Sequence, residues 1–226
     1  PQMEAAAALA REFPDLHIQT HLSENGEEIR YTCELYPEAA DYTDIYARYG
    51  LLREKALLGH CIHLSEREAD VMSETGAVAV HCPTANLFRG SGLMPLKKMI
   101  RRNKPVTVSV ATDLGGGSSY SMLRTMDEAY KIQQLLGERL NPQESVRPMT
   151  RGNAEAIRLA DSIGSLDPGT DADLVVLDAR ATPAMALKME VVNSLAEELF
   201  LLQTLGDDRS IAETYVAGKA MKSTLR

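Results

Sequence analysis

Four short apolar runs, each closing on a histidine or an aspartate, constrain this chain more than anything else in it. Residues 17–22, 55–61, 77–82 and 105–111 read as strands, and their ends carry His21, His60, His81 and, just past the last run, Asp113. Helical sequence separates them. Residues 25–36 form one such stretch, and a tyrosine-rich segment ending at Gly50 forms a second. Residues 65–75 form a third, with Ser65 at the N-cap and Glu68 at the capping-box position, and residues 96–103 a fourth. Strands that alternate with helices in this way predict parallel βαβ units. In a closed parallel barrel the carboxyl ends of all strands share one face, and active sites are built there. Ligand-type side chains placed at that end four times over are not a packing requirement.

The individual residues sharpen this. His21 ends its strand in a run reading His17-Ile18-Gln19-Thr20-His21-Leu22-Ser23-Glu24-Asn25, and Glu24 follows in turn-like sequence. A neutral imidazole at a strand end suits a zinc ion, and a carboxylate one turn further on can carry a proton beside it. In Gly59-His60-Cys61-Ile62-His63 the apolar run before His60 makes it the residue that points into the site, and His63 reads as a loop residue. His17 begins its strand at the far end and reads as structural. His81 either contacts a substrate or holds the loop after the third strand, with the second reading preferred. Asp113 follows an apolar strand, where a carboxylate is costly unless paired or bound to a metal. Residues 115–117 are three glycines, read as a flexible loop; they lack the Gly-Lys-Ser/Thr ending of a phosphate loop. No His-Glu-x-x-His and no Gly-x-Ser-x-Gly occurs, against zincins and serine hydrolases.

At 226 residues the chain can bury a substantial core, and its net charge of -8 and pI near 5.2 argue against binding a nucleic-acid backbone. They suit a cytoplasmic protein with a small-molecule substrate. Cys33, Cys61 and Cys82 make no disulfide framework, and the last two read as small buried residues without Pro-Cys-x-x-Cys metal spacing. No apolar run is long enough to span a bilayer. The chain opens on Pro1 and helical sequence over 2–13, which suggests a processed chain or one whose beginning is missing. Residues 121–136 predict a long helix with Met122, Leu123, Met126, Ala129, Ile132 and Leu136 facing inward, and a further helical segment runs on from Asn141-Pro142 to Leu159. The character then changes to turns and short strands over 161–178, one expected before the Asp167-Pro168-Gly169 turn and one over 173–177. A strand-turn-strand pattern follows over 210–221, with a helical stretch over 184–205 between.

Taken together, Gln19-Thr20-His21-Leu22-Ser23-Glu24-Asn25, Gly59-His60-Cys61, His81-Cys82-Pro83-Thr84-Ala85-Asn86-Leu87 and Thr112-Asp113-Leu114-Gly115-Gly116-Gly117 resemble the amidohydrolase superfamily. Leu35-Tyr36-Pro37 with Asp41-Tyr42-Thr43, and Gly206-Asp207-Asp208-Arg209 with Glu213-Thr214-Tyr215-Val216, resemble its guanine deaminase branch. The resemblance implies an α/β fold, the C-terminal half of a (β/α)8 barrel over 1–160, with strands of a small β-domain over 161–180 and 206–226. It implies one zinc per site, with His21 and Asp113 as metal ligands, and guanine bound among His21, Glu24, His60 and Asp113. In that family zinc lowers the pKa of water so that hydroxide exists near neutral pH. Asp113 then takes the water's proton as it attacks C2, and Glu24 protonates a ring nitrogen and helps ammonia depart. His60 orients the hydroxide and stabilises charge. The product is xanthine. The family's His-x-His of the first strand is missing here, as is the Arg-Phe pair that helps clamp guanine, so the chain is expected to be a fragment of a longer enzyme. Deamination or dechlorination of another heterocycle, a triazine or an adenosine derivative, is the alternative, as is a non-catalytic half-barrel acting by association. Members of the family are often homodimers, and residues 195–205 are the candidate interface.

Overall fold

The computed structural model describes residues 1–222. They divide into two compact units, one from Pro1 to Gly117 and the other from Ser118 onward.

The first unit opens with helix α1 (Gln2–Glu12) and then lays down a parallel sheet. Its strands are β1 (Ile18–Leu22), β2 (Ala56–His60), β3 (Val78–His81) and β4 (Thr107–Val110), in that spatial order. Each parallel step requires a crossover, and helices supply all three. Helices α2 (Gly26–Leu35) and α3 (Tyr42–Arg48) lie between β1 and β2, and α4 (Glu66–Thr75) between β2 and β3. Between β3 and β4 lie α5 (Pro83–Arg89) and α6 (Leu96–Arg101). The register pairs His21 with Gly59 and Leu22 with His60, so the ends of β1 and β2 lie side by side. Leu22, Leu58, Met72, Met94 and Leu96 are fully buried around this sheet.

Capping residues decide where the crossover helices begin. Asn25 caps α2 and Ser65 caps α4, and in both a glutamate at the third helical position returns the bond to the cap backbone. Gly76 ends α4 in the left-handed conformation. Both capping glutamates do a second job. Glu28 accepts from the Tyr42 hydroxyl at 3.1 Å, and the buried Glu68 accepts from the Thr43 hydroxyl at 3.0 Å, so each ties its helix to α3. Glu68→Ala therefore strands the Ser65 N–H and the buried Thr43 hydroxyl together. It should lower stability by about 2 to 3 kcal/mol in urea unfolding. A change below about 0.5 kcal/mol would remove this tie from the account.

Helix α5 departs from expectation. Pro83 reads as a stop after the third strand, yet it occupies the first turn of a helix, where its fixed φ and missing N–H cost nothing.

The second unit begins with α7 (Met122–Leu135), capped by Ser121. Leu123, Met126, Ala129 and Ile132 are buried as the periodicity predicts, but Leu136 is the C-cap and 39% exposed. The helical segment expected after Asn141-Pro142 is broken into α8 (Pro142–Val146), a 3-10 turn over Arg147–Met149 and α9 (Arg151–Ala156). Then come β5 (Leu174–Leu177), α10 (Pro183–Met189), α11 (Leu195–Leu205), β6 (Ile211–Val216) and β7 (Lys219–Ala220), the strands forming an antiparallel sheet in the order β5-β6-β7. The strand expected before Asp167 is turn instead, with the Ser162 and Ile163 N–H groups both donating to the Leu159 carbonyl at 2.9 Å. Residues 223–226, the end of the expected 206–226 strand region, lie outside the described residues. In the stretch expected as an interface, Leu201 and Leu202 are buried against Ala179 and Met185 of the same unit, whereas Leu195 and Leu205 are exposed. No helix among the described residues is long and apolar enough to cross a membrane.

Candidate active site

The carboxyl ends of β1, β2 and β4 bring His21, Glu24, His60 and Asp113 together. The ligand atoms of His21, His60 and Asp113 all lie within 4.8 Å of one another. The His21 and His60 rings meet edge to face with centroids 5.0 Å apart. His60 Nε2 lies 3.7 Å from Glu24 Oε2 and 3.9 Å from Asp113 Oδ2. Both separations exceed a direct hydrogen bond and are of a size that one intervening atom spans.

The backbone bends sharply at each of these ends. Ser23, His60, Cys61 and Asp113 have positive φ values of 51°, 72°, 49° and 48°, a region that side-chain-bearing residues avoid at a cost of roughly 1–3 kcal/mol each. Bonds between neighbouring strand ends hold the bends. The Cys61 N–H donates to the Leu22 carbonyl at 2.9 Å, and the Ile62 and His63 N–H groups both donate to the Ser23 carbonyl.

Glu24 is buried, and its backbone N–H and one carboxylate oxygen are held. Its N–H donates to Glu28 Oε2 at 2.7 Å, which makes the α2 cap the anchor of its backbone. Its Oε1 accepts from the Ser91 hydroxyl at 2.8 Å and pairs with Arg89 Nε at 3.0 Å. A buried carboxylate with these partners meets the requirement that buried charge be compensated.

His60 Nδ1 donates to Asn86 Oδ1 at 2.8 Å, and both residues are fully buried. That bond leaves Nε2 as the nitrogen facing Glu24 and Asp113. His63 stands apart as a loop residue, with Nε2 2.9 Å from the Ser91 carbonyl.

Asp113 sits three residues beyond β4, in a turn the glycines close tightly. The Gly117 N–H donates to the Asp113 carbonyl at 2.6 Å. A Cβ at Gly116 would lie 2.9 Å from Asp113 Oδ2, and one at Gly117 would lie 2.6 Å from the Thr112 carbonyl oxygen. The glycines thus let the chain wrap around the carboxylate, where sequence reading expects only a flexible loop. Thr84 on α5 donates its hydroxyl to the Thr112 carbonyl at 2.9 Å.

His81 ends β3 and is fully buried, with neither ring nitrogen bonded to a partner among the described residues. Burial, and secondarily His60, push its pKa down from 6.5 to about 3. Cys82 and Cys61 are buried as expected, and burial pushes the Cys82 thiol up to about 12 and likewise raises Cys61. The sign for His81 follows from linkage: the unfolded chain binds its proton near pH 6.5 and the folded chain only near 3. Its contribution is intact above about pH 6.5 and is lost as pH falls toward 3. Between pH 7 and pH 5, wild type should lose about 2 kcal/mol more in urea unfolding than His81→Leu. Equal losses would contradict a neutral buried imidazole.

The model of the amidohydrolase family matches residues 1–221. The chain belongs to the amidohydrolase family. The guanine deaminase of Escherichia coli (strain K12) is 45% identical over 218 residues, covering 96% of this chain and 49% of that protein. A solved structure of E. coli guanine deaminase superposes with a TM-score of 0.94 at 44% identity, over 97% of this chain and 51% of that one. Guanine deaminase from C. acetobutylicum, solved with guanine bound in its active site, gives 0.85 at 29% identity, over 97% and 51% of the two chains. An adenosine deaminase from Xanthomonas campestris with bound zinc gives 0.82 at 24% identity, over 96% and 48%, a likeness of fold alone. The chain spans about half the length of the relatives it matches. The parallel four-stranded sheet with its helices is thus part of an amidohydrolase barrel.

Two imidazoles and a carboxylate converging on one point form a donor set that fits zinc, a borderline cation bound by nitrogen and oxygen. Of the residues that touch this cluster, Arg89 and Ser91 escape sequence reading, and Asn86 enters it only as part of the motif over 81–87, without a role. All lie on α5 or just after it. The available signal was Pro83, which marks a helix start as readily as a strand stop.

Proposed function

We propose that this chain carries one side of the active site of a zinc-dependent guanine deaminase, which hydrolyses guanine to xanthine and ammonia. The convergence of Glu24 Oε2 and Asp113 Oδ2 on His60 Nε2, beside His21, carries the reading. The 45% identity to E. coli guanine deaminase supports guanine over other heterocycles. His21 and Asp113 would hold the metal, with His60 alongside. Residues 1–160 would form half of the barrel, with the strands after residue 161 belonging to the small β-domain. The rest of the barrel would come from the portion of its relatives that this chain does not match, as would the remaining metal ligands.

Bound there, zinc would supply Lewis acidity that makes water acidic enough to ionise near neutral pH. Asp113 Oδ2 accepts a proton from the water as its oxygen bonds to C2 of guanine. Glu24 Oε2 delivers a proton to a ring nitrogen, which makes C2 electrophilic; it then takes up the hydroxyl proton of the tetrahedral carbon and passes it to the departing amine, and the proton held by Asp113 restores Glu24. His60 Nε2, aimed by Asn86, holds the attacking oxygen and stabilises charge at the tetrahedral carbon. The C2–N bond breaks, and ammonia and xanthine leave. Each step uses a group already facing the same point.

The test is substrate competition followed by absorbance, with this chain joined to the residues preceding it in its gene. Guanine should be converted to xanthine at least about 100-fold more efficiently than adenosine or a chlorotriazine, since a site matched to one set of ring donors leaves its polar groups unpaired with another. Preference for either of the others would overturn the assignment of guanine.

A further inference from the structure

Glu24 has two carboxylate oxygens, and their surroundings differ. Oε1 receives the Ser91 hydroxyl at 2.8 Å and faces Arg89 Nε at 3.0 Å. Oε2 instead faces His60 Nε2, at 3.7 Å. Ser91 is itself fixed from three directions. Its N–H donates to the Asn86 carbonyl at 2.9 Å, closing the end of α5. Its carbonyl lies 2.9 Å from His63 Nε2, and its hydroxyl is committed to Glu24. Gly92 follows with φ +133°, and a Cβ there would lie 3.2 Å from the His63 ring, so glycine lets the loop close onto that imidazole.

We propose that Ser91, braced by His63, is a positioning residue that pins Oε1 of Glu24 and so reserves Oε2 as the oxygen that moves protons. The inference rests on the deaminase reading of the site. A carboxylate free to rotate about its terminal torsion presents either oxygen, because that torsion is broad and two-fold. One short hydroxyl bond from a residue with a fixed backbone removes the freedom. Arg89 is more than half exposed on its side chain, so its pairing is screened and Ser91 is the stronger constraint. The second histidine of Gly59-His60-Cys61-Ile62-His63 thereby gains a role: it holds the backbone of the residue that holds Glu24.

Two measurements test this. In the active enzyme, Ser91→Ala should lower kcat by about 10- to 100-fold with KM within about two-fold and bound zinc unchanged, and Ser91→Thr should restore most of the loss. His63→Leu, which leaves the Ser91 hydroxyl in place but frees its backbone, should show the same kcat-only loss to a smaller degree. In crystals of Ser91→Ala of this chain, the Glu24 carboxylate should rotate away from the His60 Nε2 position. If Glu24 keeps its orientation, or if kcat is unchanged, the proposal fails. Absence of guanine turnover in wild type would instead remove the deaminase reading, and the crystal orientation of Glu24 would still decide whether Ser91 positions it.

Discussion

Glu24→Gln should lower the rate of guanine deamination by about 100- to 10,000-fold, the range that removing a positioned general acid–base group produces. The substitution is nearly isosteric, and the consequence is confined to one atom. The amide oxygen can occupy the Oε1 position and still accept from Ser91 at 2.8 Å and Arg89 at 3.0 Å, so the side chain stays where it is. The amide nitrogen then takes the Oε2 position facing His60, where it can neither deliver a proton to the purine nor carry one to the departing amine. The backbone anchor to Glu28 is untouched. Stability and zinc content should therefore remain close to wild type while xanthine formation collapses. A variant that keeps wild-type turnover would take Glu24 out of the mechanism. One that also loses zinc would make it a ligand rather than a proton carrier.

The second large effect concerns the metal. His21→Ala and Asp113→Ala should each weaken zinc binding by at least about 100-fold, because each deletes a proposed direct ligand where even an outer partner is worth 10- to 100-fold. The two should differ in cause of inactivity. In the proposed mechanism His21, at the end of β1, contributes an imidazole alone, so excess zinc should recover part of the activity of its variant. Asp113 faces His60 Nε2 at 3.9 Å and in that mechanism also takes the water's proton, so excess zinc should refill the site of its variant without recovering turnover. Equilibrium dialysis against zinc, with activity measured across the same titration, separates the two. Full recovery of Asp113→Ala by zinc would confine that residue to holding the metal.

Most of this arrangement was legible because strands and caps leave local marks. The four strands lie where the apolar runs put them, shortened by a residue or two at the ends, and Ser65 with Glu68 forms the expected capping box. His21, His60 and Asp113 converge because parallel strands must end on the same side. Helix α5 was hidden by an ambiguity of proline, which terminates a strand and opens a helix by the same missing N–H. With α5 went Arg89, Ser91 and the role of Asn86, whose contacts to His60 and Glu24 span 26 residues or more and have no period to betray them. The turn around Asp113 was likewise opaque. Three glycines announce freedom in a sequence, whereas here two of them are required by the closeness of Asp113 Oδ2 and the Thr112 carbonyl. In the second unit, Leu136 fits the helical stripe yet falls at the cap, where the stripe has already turned to solvent.

Removal and return of zinc tests the central claim most directly. The chain, joined to the residues preceding it in its gene, is stripped with a chelator and titrated with zinc while xanthine formation is followed by absorbance. The account predicts no turnover without metal and a linear rise that saturates at one zinc per site. Turnover that survives complete chelation, or a site that fills with zinc and forms no xanthine, would contradict it.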